Sequence, residues 1–326
     1  MRKLAILGAI IFAFVLFMAI PAVITMTGRK DLYFTFTSVA LLSIASAGVW
    51  LTFYMGRINI GQGAYALIGG YVAGILMTQY QLSFWLSLPL AGLFCVFISI
   101  LIGLPILRLR GVYFAMVTLV STEVARLTAM ALPITQGAKG LTNIPLPDEL
   151  SLFGMTLIPS FSSLSNSNQG FYFLSVTLML IAFALMYRLV TSRFGQLCLS
   201  LQQNEELASS IGVNITSLRI IAYAISSFLG GIGGAIFASL SQSIYPSSFT
   251  VQDSVNFMLN CFLGGLNYVF GPILGTFTLY FGWDLLFQTG KYQLLIYSII
   301  IILLMLFLPN GLLSIRLWKA KARGAV

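Results

Sequence analysis

The strongest constraint in this sequence is a succession of apolar runs that leaves almost no material for a water-facing surface. Residues 31–54, 60–80, 84–107, 111–133, 170–190, 218–240 and 291–308 are each long enough to cross about 30 Å of hydrocarbon. Another run covers 4–26, and 254–287 is apolar but interrupted by GGLNYVFGP. Charged residues amount to 17 Lys and Arg plus 8 Asp and Glu, 8% of 326 residues. A soluble domain carries roughly 25% charge, so so few charges cannot coat a soluble core. The expected fold class is an all-α integral membrane protein. It is a polytopic bundle of about 8–10 transmembrane helices in one domain spanning 1–326, with a broken or short helical hairpin near 254–287.

Several chemistries are removed at once. There is no histidine, which takes away His bases, His-containing triads and the commonest metal ligand. No GxxxxGK[ST] loop occurs, so the chain does not itself cradle ATP in a P-loop. Cys95, Cys198 and Cys261 are odd in number and widely spaced, and they read as packing residues rather than a disulfide or metal set. No cofactor is implied. The run at 4–26 follows Arg2 and Lys3, but AIPAVITM offers no clean small-x-small cleavage site, so a retained first span is expected.

Orientation is read from where Lys and Arg fall. With a cytoplasmic N-terminus and alternating spans, the inside set is Arg2, Lys3, Arg57, Arg108, Arg110, Arg188, Arg193, Arg219, Arg316, Lys319, Lys321 and Arg323. The outside set is Arg29, Lys30, Lys139 and Lys291, with Arg126 inside a span. Twelve against four explains the net charge of +9 as an orientation device, with no nucleic acid partner. It puts both termini and the loop 191–217 in the cytoplasm and 134–169 outside. The region 254–287 then begins and ends on one side, so it either crosses twice or dips in and returns. Short helices interrupted by Gly and Pro are found where a transport pathway lies.

Polar features inside the apolar runs are few. GxxxG spacing at Gly70–Gly74, Gly230–Gly234 and Gly271–Gly275 signals close helix packing. Glu123 and Arg126, three apart in one span, share a helix face. Ionisable groups inside a membrane raise a functional hypothesis, and a structural pair near the interface is the alternative. NIGQGAYALIGGYVAG at 59–74 opens a span with Gln62, expected to hydrogen-bond inside the bundle. Gln62, Glu123, Arg126, Asn256, Asn260 and Asn267 are the candidate polar groups of a pathway.

The stretch SRFGQLCLSLQQNEELASSIGVN at 192–214 is the chain's long polar interruption. Glu205 and Glu206 suit the first turn of a short helix and Gly212 its C-cap. A single helix over 200–213 is expected, with Leu201, Leu207 and Ile211 on an apolar side and Ala208 keeping the surface small. Such a helix, standing outside the membrane, suits insertion into another protein.

Five segments carry a family resemblance: INIGQGAYALIGGYVAGIL (58–76), LRLRGVYFAMVTLVSTEVARL (107–127), GAKGLTNIP (137–145), ELASSIGVN (206–214) and YPSSFTVQDSVNFMLNCFLGGLNYVFGPILG (245–275). They resemble, in order, segments of the permeases of ATP-binding-cassette importers for branched-chain amino acids, the LivM-type subunit. The resemblance covers roughly 35–313. It implies a non-catalytic subunit of a bacterial inner-membrane importer. The implied partners are a second permease subunit, two cytoplasmic ATPase subunits and an extracytoplasmic substrate-binding protein. The polar loop, with Leu201, Glu205, Glu206, Leu207, Ala208, Ile211 and Gly212, would be the ATPase-coupling segment. Gln196, Leu199 and Gln202 stand where the family often has arginines, and Gln62 where it often has histidine.

Two other functions remain open. Related permeases serve urea, amides or other small polar solutes. An ion-coupled secondary amino acid transporter is the alternative from another class. Against it stands the scarcity of intramembrane acids, with only Glu123 well inside a span.

Overall fold

The computed structural model describes residues 15–109, 111–152, 155–163, 166–210, 212–308 and 310–314. Residues 4–14 of the first expected span, Arg110, Ile211 and the basic residues at the C-terminal end lie outside the described residues.

The chain is helical, as its apolar runs require. A π-helical turn, Val15–Ala19, leads into α1 (Ile20–Thr27). Next come α2 (Asp31–Tyr54), α3 (Gln62–Thr78), α4 (Phe84–Ile106) and α5 (Val112–Ala131). After an irregular segment, α6 (Ser167–Thr191) is followed by two short helices, α7 (Arg193–Gln203) and α8 (Glu205–Ser210). The remainder is α9 (Ile215–Leu240), α10 (Val251–Gly264), α11 (Gly271–Leu285) and α12 (Gln293–Phe307). Six described helices are long and apolar enough to cross a membrane: α2, α4, α5, α6, α9 and the segment Gly290–Ser314 that contains α12.

Helix ends follow local chemistry. Asn166 caps α6 by accepting from the Asn168 N–H, and Asn214 caps α9 by accepting from Ser217. Thr250 and Asp253 form a capping box at the start of α10. In α11, Pro272 sits in the first turn, where its missing N–H costs nothing.

The core is built where α9 packs on α2, α3 and α4. The GxxxG glycines do what their spacing predicts: a methyl placed on Gly234 would overlap the Ala66 carbonyl of α3, and one on Gly70 would overlap Ile244 and come within 3.0 Å of the Gly234 carbonyl of α9. Small residues let these backbones meet, a gain in dispersion contacts that needs no difference in polarity. Gly48 lies against Ser226 and Leu41 against Gly233, so α2 and α9 run antiparallel.

Two helices do not begin at a bundle end. After Tyr54 the chain turns at Gly56 (φ +81°) and runs back as irregular backbone to Gln62. Gln62 donates to the carbonyls of Ala45 and Ser226 at 3.0 and 2.9 Å, midway along α2 and α9. The first residue of α3 is therefore at the middle of the bundle. From the opposite end, residues 241–250 return after Leu240, with Ser243–Ile244 (β2) paired antiparallel to Leu141–Thr142 (β1). This segment delivers α10 to the same depth, because Ser254 bonds Gly63 of α3 and Thr122, midway along α5. At 14 residues, α10 spans about 21 Å. It runs alongside α2 until Trp50 Nε1 donates to the Leu266 carbonyl at 2.8 Å, near the Tyr54 end. The expected short hairpin is therefore present as α10 and α11, and its first arm is a half-helix starting inside the bundle.

The expected 134–169 segment holds more structure than a loop. Besides β1 it carries a separate antiparallel pair, Leu150–Leu152 and Met155–Ile158. Gly140 and Leu141 pack on Ile244 and Gly74, covering the returning segment at the Leu240 end.

Candidate functional site

Inside a bilayer, backbone groups released by a break in a helix must find partners in the protein. Here short polar side chains supply them. Asn59 Oδ1 accepts from the Gly61 N–H at 2.9 Å, and Thr118 Oγ1 accepts from the Ile60 N–H at 3.1 Å. Ser254 Oγ accepts from the Gly63 N–H at 2.9 Å and lies 3.0 Å from Thr122 Oγ1. Ser226 Oγ donates to Gln62 Oε1 at 3.1 Å. Two positive helix ends thus abut in the middle of the bundle, joined by short uncharged side chains, with the Asp253 carboxylate capping the α10 end. The expectation for Gln62 is met: its amide is fully buried and joins three helices.

The other candidate pathway groups separate. Asn256 and Asn260, four apart on α10, line a cavity of ≈ 690 Å³ between α10, α11 and α12. Asn260 also donates to Ser46 Oγ at 3.0 Å. Asn267 is exposed in the turn between α10 and α11, at the Tyr54 end and away from the mid-bundle groups. Glu123 and Arg126 pair as their spacing predicts, with Arg126 Nε 2.9 Å from Glu123 Oε2. Their side chains stay 41% and 28% exposed on the outward face of α5, beside exposed Val120, Val124 and Leu127. That face is turned away from the core of this chain.

The polar stretch folds differently from one helix over 200–213. It forms α7 and α8, separated at Asn204, whose Oδ1 caps α8 by accepting from the Leu207 N–H at 3.0 Å. The break rotates the two halves, so Leu201 and Leu207 do not share a face. Leu201 and Ala208 are buried against the chain itself, and Leu207 is 63% exposed. The small side chain of Ala208 therefore serves packing within this chain. The Gly212 cap is as expected, with φ +85°. Gly212 donates to the Ser209 carbonyl and Val213 to the Ala208 carbonyl, the paired bonds of a left-handed helix stop. Ile211 lies outside the described residues.

Glu206 is exposed, but Glu205 turns inward. Its Oε2 lies 2.6 Å from Arg219 Nη2 and 3.6 Å from Arg57 Nη2. Arg57 and Arg219 are only 5% and 7% exposed. Arg57 also stands over the Phe114 ring, 6.0 Å from its centroid. Arg57 belongs to the irregular segment that enters the bundle and ends at Gln62, so Glu205 ties α8 to that segment. Gln202 of α7 rests on Gly56 in the same place. Buried Cys198 lies on the inner face of α7, and burial pushes its thiol up to about 12.

Sequence reading missed this cluster, having used Arg57 and Arg219 only as markers of orientation. The available signal was that both arginines and the two acids fall on the same expected side. It also missed Asn59, Thr118, Thr122, Ser226 and Ser254, because isolated small polar residues in apolar runs resemble packing.

Interrupted helices meeting at the centre of a polytopic helical bundle define a membrane transport architecture. Residues 32–309 match the family described as branched-chain amino acid transport system / permease component, and the chain belongs to that family. It is 31% identical to the high-affinity branched-chain amino acid transport system permease protein LivM of Salmonella typhimurium, over 82% of this chain and 68% of that protein. LivM of Escherichia coli is 30% identical over 79% of this chain and 64% of its own length. The chain thus spans about two thirds of each. The probable branched-chain amino acid transport permease protein LivH of Methanocaldococcus jannaschii is 24% identical, over 87% of this chain and 91% of that protein. No solved structure matches the chain.

Proposed function

We propose that this chain is the non-catalytic permease subunit of an ATP-driven importer for branched-chain or similar amino acids. It lies in a bacterial plasma membrane with both termini and α7–α8 on the cytoplasmic side. The observation that carries the reading is the family match over 32–309. The twelve-to-four distribution of Lys and Arg supports the orientation. A second permease subunit completes the path, two ATPase subunits supply energy, and an extracytoplasmic binding protein delivers the solute.

In this reading α8 is the coupling element. Leu207 is its exposed apolar anchor, Glu206 lies at the rim, and Glu205 carries movement inward through Arg57 to the α3 half-helix. A few central anchors dominate a small docking surface. Leu207→Asp should therefore abolish co-purification of the ATPase subunits while permease abundance in the membrane is unchanged. Retention of the ATPase by that variant counts against α8 as the docking element.

A further inference from the structure

A cavity with a partly polar lining lies outside the mid-bundle junction and the coupling face. It is bounded by α2, α10, α11 and α12, and its volume of ≈ 690 Å³ falls in the range of small-molecule pockets. Its wall is mostly apolar, with polar side chains on α10 and α11 and, from α12, Tyr297 and Ser298. Gln252, Asn256 and Asn260 form a row on α10, spaced four residues apart so that they share one face. Thr276 lines the cavity from α11.

Asn260 bonds Ser46 and Asp253 closes the α10 capping box, but three groups of this lining are not spent on holding the fold. The Thr276 hydroxyl is buried in a residue only 1% exposed and has no hydrogen-bond partner among the described residues. An unmatched buried hydroxyl costs stability in the empty chain. The Asn256 amide makes no hydrogen bond among the described residues, although it lies on the half-helix that starts at mid-bundle. Asp253 uses a single oxygen, Oδ2, to accept both the Thr250 N–H and its hydroxyl at 2.7 and 2.8 Å. Its Oδ1 takes no hydrogen bond among the described residues. Among the described residues the cavity is lined by Asp253 and by no Lys or Arg, so that lining carries a net negative charge. Polar and ionisable groups at this depth face a water-filled or ligand-filled space rather than lipid.

We propose that this cavity is a binding subsite for a small primary ammonium compound with an aliphatic body. An aliphatic α-amino acid occupies it during transport, a step that rests on the function proposed above. The ammonium group donates to Asp253 Oδ1 and to the side-chain oxygens of Asn256 and Thr276. The amide of Gln252 is the donor for a carboxylate, and Leu42, Leu279 and Ile301 receive the aliphatic part. The volume leaves room for accompanying water.

The test uses the assembled transporter in lipid nanodiscs, titrated with L-leucine, 3-methylbutylamine and 4-methylpentanoate while the melting temperature is read. Leucine and the amine should raise it, and the carboxylate lacking an amine should not. Asp253→Asn should raise the half-saturating concentration of both ligands by about tenfold or more, the loss of a charge-assisted bond. Thr276→Val separates binding from folding. It removes an unpaired buried hydroxyl, so the ligand-free melting temperature should hold or rise while half-saturation weakens about fivefold. An equal shift with 4-methylpentanoate overturns the subsite, as does unchanged half-saturation in both variants or no shift with any probe. ATP-driven leucine uptake by the wild type is measured in parallel. Uptake without the cavity effects sinks the subsite alone, and an amine-induced shift without uptake sinks the substrate assignment but keeps the site.

Discussion

The backbone N–H of Gly63 donates to the hydroxyl of Ser254 at 2.9 Å, joining residues 191 positions apart at the middle of the bundle. Each marks the start of a half-helix, one reached from the Tyr54 end of α2 and the other from the Leu240 end of α9. The bond is short-range and uncharged, and the two helices run away from it in opposite directions. A small relative movement of the two returning segments would break it without disturbing the long spans.

Ser254→Ala should destabilise the chain by about 1–3 kcal/mol, because it leaves the Gly63 N–H without its acceptor at a fully buried position. Thr122 loses its neighbour at the same time. Thermal unfolding of the purified complex checks this, with Thr276→Val as the reference that removes a hydroxyl already lacking a partner. Equal melting temperatures for Ser254→Ala and the wild type would show that the junction carries no stability.

Glu205→Gln should cost about 3 kcal/mol, since it removes the carboxylate 2.6 Å from buried Arg219 and 3.6 Å from buried Arg57. Replacing Arg219 by Gln in the same chain should restore part of that loss. Glu206→Gln, at an exposed position, should stay within about 0.5 kcal/mol of the wild type. Melting temperatures of the four proteins give the comparison, and transport per ATP hydrolysed should fall most in Glu205→Gln.

Glu123 and Arg126 form their pair on the outward face of a membrane-spanning helix, where an unpaired charge is costly. Glu123→Gln should therefore reduce assembly or uptake more than Glu123→Gln combined with Arg126→Gln. Yields of assembled complex and initial uptake rates decide it, and an absence of rescue in the double variant would mean the two are not coupled.

The proposed orientation is checked by thiol labelling of intact cells. Cys95, Cys198 and Cys261 are all buried. With its thiol raised to about 12, Cys198 is roughly one part in ten thousand thiolate at pH 8. Native background should accordingly be low. An impermeant maleimide added outside should modify Lys139→Cys and spare Gln203→Cys, both at exposed positions. The reverse pattern would invert the topology.

The helical membrane class was legible because hydropathy and charge scarcity act over whole runs. The left-handed Gly212 and the Glu123–Arg126 pair were legible because they depend on local spacing. The depth of α3 was not. The run 60–80 has the same hydropathy whether it starts at a membrane surface or, as here, at mid-bundle against Ala45 and Ser226. The coupling stretch was half legible. Periodicity grouped Leu201 with Leu207, but the cap at Asn204 interrupts the helix and separates their faces. Periodicity also cannot say whether an apolar face is covered by the same chain or by a partner, which is why Ala208 was assigned to a docking surface and is buried in this one.

Uptake by the purified complex in proteoliposomes tests the central claim most directly. Labelled leucine is supplied with the binding protein, and ATP is placed on the side of α7–α8. Accumulation should require hydrolysable ATP and persist when ionophores collapse proton and sodium gradients. Accumulation that needs an ion gradient and proceeds without ATP would contradict the account and make this chain a secondary transporter.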